Sequence, residues 1–249
     1  MADNRFISVP LLIAAVAAAA IIFIGCGDGA IEPPGEKRES YFEVVAYFDA
    51  PGDASEDMVY ARDLLWVTDS DGAGTVYQLQ PDNGSVRLAL GVGYPAPGPI
   101  TSDGNFIYVA SLSDGTIHKH SMSDSFYELG EFDTGLAEIK GLFRHGGYFY
   151  AYDKQNRTLN RFDDDFDLDE TYPLVVNDKN IKGMDFANGR LWAAEAKGGW
   201  LLALDETYRI EDEFATPGPN PAGIAYDGRY LFIADTKQNR IYKLDVAIY

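Results

Sequence analysis

Five short apolar runs recur along the chain and read as strands: LLWVTD from Leu64, FIYVAS from Phe106, YFYAYD from Tyr148, RLWAAE from Arg190 and YLFIAD from Tyr230. Their second residues, Leu65, Ile107, Phe149, Leu191 and Leu231, stand 42, 42, 42 and 40 positions apart. Eight residues before each lies a second column, Asp57, Pro99, Gly141, Gly183 and Gly223. Nine before those lies an apolar third, Phe48, Leu90, Phe132, Leu174 and Phe214. Three columns that hold register across the chain define a structural repeat, and a spacing of roughly 40 to 45 residues suits a four-stranded propeller blade.

Each unit divides into four strands. Strand A (GMDFA, GIAYD) leads into a tight turn at Asp103-Gly104, Gly146-Gly147, Asn188-Gly189 or Asp227-Gly228. Such pairs reach positive φ at little steric cost and suit two-residue hairpins. Strand B is the aromatic-bearing run, strand C is TVYQL, TIHKH, TLNRF, WLLAL or RIYKL, and strand D alternates, as in FYELGEF. The fifth unit ends without a strand D, while YFEVVAYFD from Tyr41 matches FYELGEFD from Phe126. The expected fold is therefore all-β, a five-bladed β-propeller of four antiparallel strands per blade. Residues 41–49 complete the last blade and cover its edge.

The N-terminus follows a different pattern. An apolar run from Phe6 to Ile24, preceded by Arg5, stops at Gly25-Cys26 and gives way to GDGAIEPPGEKRES. The small residue before a single Cys at the end of an apolar stretch resembles the lipobox of a bacterial lipoprotein. The resemblance implies a signal peptide over 1–25, lipidation of Cys26, a flexible tether over 26–40 and a propeller over 41–249. It places the domain at the bacterial cell envelope, at the outer membrane or the periplasmic face, held by its lipid anchor. An uncleaved transmembrane anchor is the alternative, since a run of this length just spans a bilayer. Cys26 is the sole cysteine, so the domain is held by its core without disulfides.

Charge narrows the partners. With 39 acidic against 20 basic side chains the formal net charge is −19, which argues against nucleic acid and anionic membrane surfaces.

The stretch YLFIADTKQNRIYKLD, with PGPNPAGIAYDG before it, resembles bacterial NHL- and YVTN-type propeller repeats. Such repeats are often grouped with the five-bladed glutaminyl cyclotransferases. The resemblance covers blade grammar over 41–249; catalytic residues of that family have no residue-by-residue counterpart here, so no catalytic residue is assigned. No Ser nucleophile elbow, His-Glu-x-x-His motif or phosphate loop occurs.

Candidate site residues are those that gather at one face or break the repeat. Trp66, Tyr108, Tyr150, Trp192 and Phe232 share one column and read as inter-blade packing. Strand B ends in a polar column, Asp69, Ser111, Asp153, Glu195 and Asp235, close to the top mouth of the channel. These carboxylates either cap their own B–C turns or form a site for Ca²⁺ or a polar ligand; no other cofactor is indicated. The DSDGAG segment from Asp69 has part of a Ca²⁺ loop but lacks its terminal Glu. Lys140 and Lys182, each just before strand A, supply positive charge on the same face. Asp185 puts a carboxylate in an innermost strand, facing channel water or a partner such as Lys182. Tyr152 replaces Thr or Ala, Trp200 replaces Thr75, Thr116, Thr158 and Arg240, and both suit stacking on a ligand ring. His118 and His120 lie on one side of strand C, but the sequence supplies no third metal ligand and their counterparts are mostly packing residues, so no metal site is assigned. The expected function is a membrane-anchored binding or scaffold module for a protein, peptide or carbohydrate, through the top face. The alternative is an enzyme of lyase or cyclotransferase type at the channel mouth, with Asp185 or Glu195 as acid/base.

Overall fold

The computed structural model describes residues 42–246, Ala73 and Asn177 excepted. The segments assigned to a signal peptide, to Cys26 and to the tether lie outside the described residues. Twenty strands and no helix occur among the described residues. They form five four-stranded antiparallel sheets, so the expected five-bladed propeller is the observed fold.

Blade 1 runs from β2 (Ser55–Ala61) through β3 (Leu64–Asp69) and β4 (Thr75–Leu79) to β5 (Val86–Gly91). Blade 2 is β6 (Pro97–Ser102), β7 (Phe106–Ser111), β8 (Thr116–Ser121) and β9 (Glu128–Asp133). Blade 3 is β10 (Ile139–His145), β11 (Tyr148–Asp153), β12 (Thr158–Phe162) and β13 (Leu168–Pro173). Blade 4 is β14 (Ile181–Ala187), β15 (Arg190–Glu195), β16 (Trp200–Leu204) and β17 (Ile210–Ala215). Blade 5 takes β18 (Pro221–Tyr226), β19 (Tyr230–Asp235) and β20 (Arg240–Asp245) from the C-terminal end, and β1 (Glu43–Asp49) from the N-terminal end. β1 pairs antiparallel with β20, Tyr47 opposite Tyr242 and Asp49 opposite Arg240. The innermost strands contact one another in sequence around the ring, and β18 returns to β2.

The core is five layers, one between each pair of neighbouring blades. Met58, Leu65 and Val67 of blade 1 meet Ala225, Phe232 and Ala234 of blade 5 in one such layer. Tyr108 of blade 2 meets Leu142 and Phe149 of blade 3 in another. The five aromatics of the strand-B column are all buried. Trp66 and Trp192 also donate Nε1–H to the carbonyls of Ala61 and Ala187 at 3.2 and 3.0 Å, so the polar end of each indole has a partner. Hairpin turns between the first two strands of blades 2 to 5 use Gly at positive φ, as the residue pairs predicted. Blade 1 has no Gly there: Arg62 and Asp63 adopt φ of 51° and 62° instead.

Candidate functional site at the channel mouth

In every blade the pairing of the innermost strand with its neighbour slips at the top end. The slip lies between Ser55 and Met58, Pro97 and Ile100, Ile139 and Gly141, Ile181 and Gly183, and Pro221 and Ile224. A slip of this kind leaves a residue without a cross-strand partner and re-aims its side chain. The residues so released are Glu56, Gly98, Lys140, Lys182 and Ala222 at the matched position. Blades 1, 3 and 4 thus carry charge at the mouth, and blades 2 and 5 leave it open.

These charges act on one another. Burial and the neighbouring Lys182 ammonium hold the Lys140 amine below its ordinary range, while Glu56 and Glu138 oppose that effect. Lys140 Nζ lies 3.7 Å from Glu138 Oε1, which also meets Lys154 Nζ at 3.5 Å. Glu56 accepts a 3.0 Å hydrogen bond from Ser70 Oγ. The mouth therefore carries mixed charge, with Lys140 under the influence of Lys182 on one side and of Glu56 and Glu138 on the other.

Below the mouth stand two carboxyls. Asp57 is buried, and its oxygens accept the backbone N–H of Ile100 in blade 2 and of Ile224 in blade 5, each at 3.2 Å. One side chain therefore ties blade 1 to both ring neighbours. Glycines at the matched positions make room: a Cβ on Gly223 would lie 2.5 Å from Asp57 Cα, and one on Gly183 3.1 Å from Asp57 Oδ1. Burial pushes the Asp57 carboxyl well above the usual carboxylate range, with Asp185 adding to the shift. Asp57 was not among the expected site residues; the signal was the single charge in a column otherwise of Gly and Pro.

Asp185 lies two residues further along β14, half-buried. Its Oδ1 accepts the Phe186 N–H at 2.8 Å, and the Tyr226 backbone of blade 5 supplies a second bond. Burial raises its carboxyl to about 7. The expected partner Lys182 is not what holds it. Lys182 sits at the register slip and belongs to the mouth, beside Lys140.

The polar column at the end of strand B is buried. Asp153 Oδ1 accepts the N–H groups of Gln155 and Asn156 at 2.9 and 3.2 Å, and its Oδ2 accepts Asn156 Nδ2 at 2.7 Å and the Ala137 N–H at 3.4 Å. Glu195 takes Asn180, Lys197 and Gly198 N–H in the same way, and Asp235 takes Asn220, Lys237 and Gln238. Asp69 accepts Ala54 and Asp71. Each carboxylate caps its own turn and staples the incoming loop of the same blade, which is the structural of the two readings of this column. Asp69, Glu195 and Asp235 take backbone donors, and Asp153 takes backbone donors and the Asn156 side-chain amide.

Tyr152 is buried between blades 3 and 4 with Leu159 and Met184, opposite Gly141 at the register slip of blade 3, and burial raises its phenol. It fills an inter-blade gap because its column elsewhere carries only Thr or Ala. Trp200 is half-buried and lines a pocket of ≈ 390 Å³ at the top of blade 4 with Asp178, Lys179, Lys197, Gly198 and Glu195, which brings two of the expected site residues, Glu195 and Trp200, together. Sequence reasoning missed a groove of ≈ 340 Å³ at the opposite face between blades 3 and 4, lined by Phe143, His145, Tyr150, Phe186, Arg190 and Tyr208. There His145 stacks on Phe186 with ring centres 3.6 Å apart, and burial lowers its imidazole.

No protein-family model matches the sequence, and no curated protein matches it. Solved structures match the fold. A glutaminyl cyclase from Myxococcus xanthus superposes with a TM-score of 0.70 at 17% identity, covering 82% of this chain and 96% of that one. A chain of a mitotic checkpoint complex superposes at 0.57 and 10% identity, over 92% and 99% of the two chains. A chain of a nidogen/laminin complex superposes at 0.54 and 18% identity, over 78% of each. Enzyme and assembly partner share the architecture, so the likeness speaks to fold alone.

Proposed function

We propose that this chain is a binding module of the cell envelope whose channel mouth takes a ligand bearing a carboxylate, such as the C-terminus of a peptide or an acidic sugar. One observation supports the reading: Lys140 and Lys182 stand at matched register slips of the adjacent strands β10 and β14, and the Lys182 charge acts on Lys140. Two adjacent ammonium groups repel each other, and an anion between them relieves that repulsion while forming charge-assisted hydrogen bonds. Glu56 suits a ligand that also carries an amine or hydroxyl donor. Trp200, on the loop at the top of blade 4, offers a ring for stacking. Lipidation of Cys26 tethers the module, and its blades follow the NHL/YVTN pattern; loss of fatty-acid incorporation in Cys26→Ser tests the anchor.

The site is tested by thermal shift with short peptides that end in a free carboxylate, the same peptides amidated, uronic acids and Ca²⁺. A ligand at a hundredfold its Kd stabilises by about 2.7 kcal/mol. The expected result is a shift with the free carboxylates that the amidated peptides lack and that Lys140→Ala/Lys182→Ala abolishes. Equal shifts from both peptide forms would refute an anion site.

A second reading has its own support in Asp185, whose carboxyl near 7 is poised for proton transfer below the mouth. The Myxococcus enzyme suggests a substrate to try, a peptide with N-terminal glutamine. Turnover of that peptide abolished by Asp185→Asn would replace the binding reading with an enzymatic one.

A further inference from the structure

We propose that His118, Glu128 and Glu131, on the outer strands of blade 2, form a site for one divalent transition-metal ion of the Zn²⁺ type. The liganding atoms of the three side chains lie within 4.8 Å of one another, and His118 Nδ1 is 3.2 Å from Glu128 Oε1. Sequence spacing displays only the two histidines. The fold adds the carboxylates through a bulge. In a regular strand, residues three apart point to opposite faces. Here His118 pairs with Glu131 and His120 with Glu128, and the register slips between, leaving Leu129 as an extra residue. The slip turns Glu128 onto the face that Glu131 and His118 share.

The same bulge occurs in the outer strands of the other four blades, but without the full set of ligands. Tyr77, Asn160, Leu202 and Tyr242 take the place of His118, and Ala89, Thr171, Glu213 and Tyr47 that of Glu131. At the place of Glu128 stand Val86, Leu168, Ile210 and Val44. Blade 2 alone carries a ligand at all three positions.

The surroundings hold the imidazole in place. His118 is buried, and the Tyr94 ring stacks on it at 3.8 Å and 14°. The Tyr94 hydroxyl meets His120 Nε2 at 3.2 Å, and His120 Nδ1 meets the Phe126 carbonyl at 3.2 Å. Both nitrogens of His120 are thus engaged, which makes it a supporting residue rather than a ligand. Among the described residues no Lys or Arg forms an ion pair with Glu128 or Glu131. A single imidazolium balances at most one of the two carboxylates, whereas a divalent ion balances both. One nitrogen and two carboxylate oxygens suit Zn²⁺, with bond lengths of about 2.0–2.2 Å and water in the fourth position. Both glutamates are exposed and can close on the ion.

Isothermal titration of the full chain with ZnCl₂ tests the site, alongside Glu131→Gln and the double variant Glu128→Gln/Glu131→Gln. These exposed, nearly isosteric changes leave the fold intact, as circular dichroism will report. The expected outcome is one saturable site in the wild type, weakened in the single variant and lost in the double. Zn²⁺ should also raise the melting temperature of the wild type and leave that of the double variant unchanged. Equal affinity in wild type and double variant, or no one-to-one site in the wild type, would overturn the proposal.

Discussion

Asp57 and Asp185 share one channel wall, and burial raises both carboxyls, Asp185 to about 7. In the folded ring each keeps its proton at pH values where the unfolded chain, with an ordinary carboxyl near 3.8, has lost it. The contribution of Asp185 to stability is therefore full below about pH 4 and is lost as pH rises through about 7, and that of Asp57 is likewise lost as pH rises. Asp103, Asp114 and Asp205 shift the other way and oppose this at acid pH, so the comparison must be made against a variant. The stability of wild type relative to Asp185→Asn should fall between pH 5 and 7, by at most ~1.4 kcal/mol per pH unit, and level off above pH 8. Parallel profiles in urea titrations would show that Asp185 does not titrate there. Asp153 acts through its hydrogen bonds, accepting from Gln155, Asn156 and Ala137. Asp153→Ala strands several turn N–H groups and should cost about 2–4 kcal/mol in a denaturant melt.

Strands in this fold are shaped by what passes close to them. Gly223 in β18 lies against the Asp57 backbone, where an added Cβ would come within 2.5 Å, whereas Gly91 in β5 has nothing within 4 Å. Gly223→Ala should therefore destabilise by about 1–3 kcal/mol through overpacking, while Gly91→Ala stays near neutral in the same thermal assay. β1 is fixed at its start by Phe42, whose ring packs on Phe214 at 4.8 Å and Trp192 at 5.6 Å. Phe42→Ala should cost roughly 3–5 kcal/mol and loosen β1 first, which hydrogen exchange along Glu43–Asp49 would register. Unchanged protection there would mean that the β20 ladder alone holds the strand.

At the scale of the whole molecule, closure makes the ring a single cooperative object. Strand β20 would be an open edge without β1, and open edges invite pairing between chains. A chain lacking Glu43–Asp49 should be prone to association by light scattering, and a peptide of residues 42–49 added in trans should restore the monomer by strand addition. A truncated chain that stayed monomeric with an unchanged melting temperature would contradict this role.

The repeat itself was legible because blades obey a local rule. Each must bury an aromatic at the position of Trp66 or Trp192 and turn sharply between its first two strands, at a Gly in blades 2 to 5, so periodicity in one dimension records the ring, its blade number and the strand that closes it. The polar column of Asp69, Asp153, Glu195 and Asp235 was equally visible, but sequence could not weigh its two roles, because the deciding amides come partly from loops some 15 residues upstream. Residues whose meaning depends on a neighbouring blade stayed hidden: Asp57 is bonded from Ile224, which lies 167 positions away. The same holds for Glu128 and Glu131, whose shared face is set by a slip in hydrogen-bond register that leaves no mark on spacing. Sequence fixes what each blade repeats; only the closed ring decides which departures from the repeat are brought face to face.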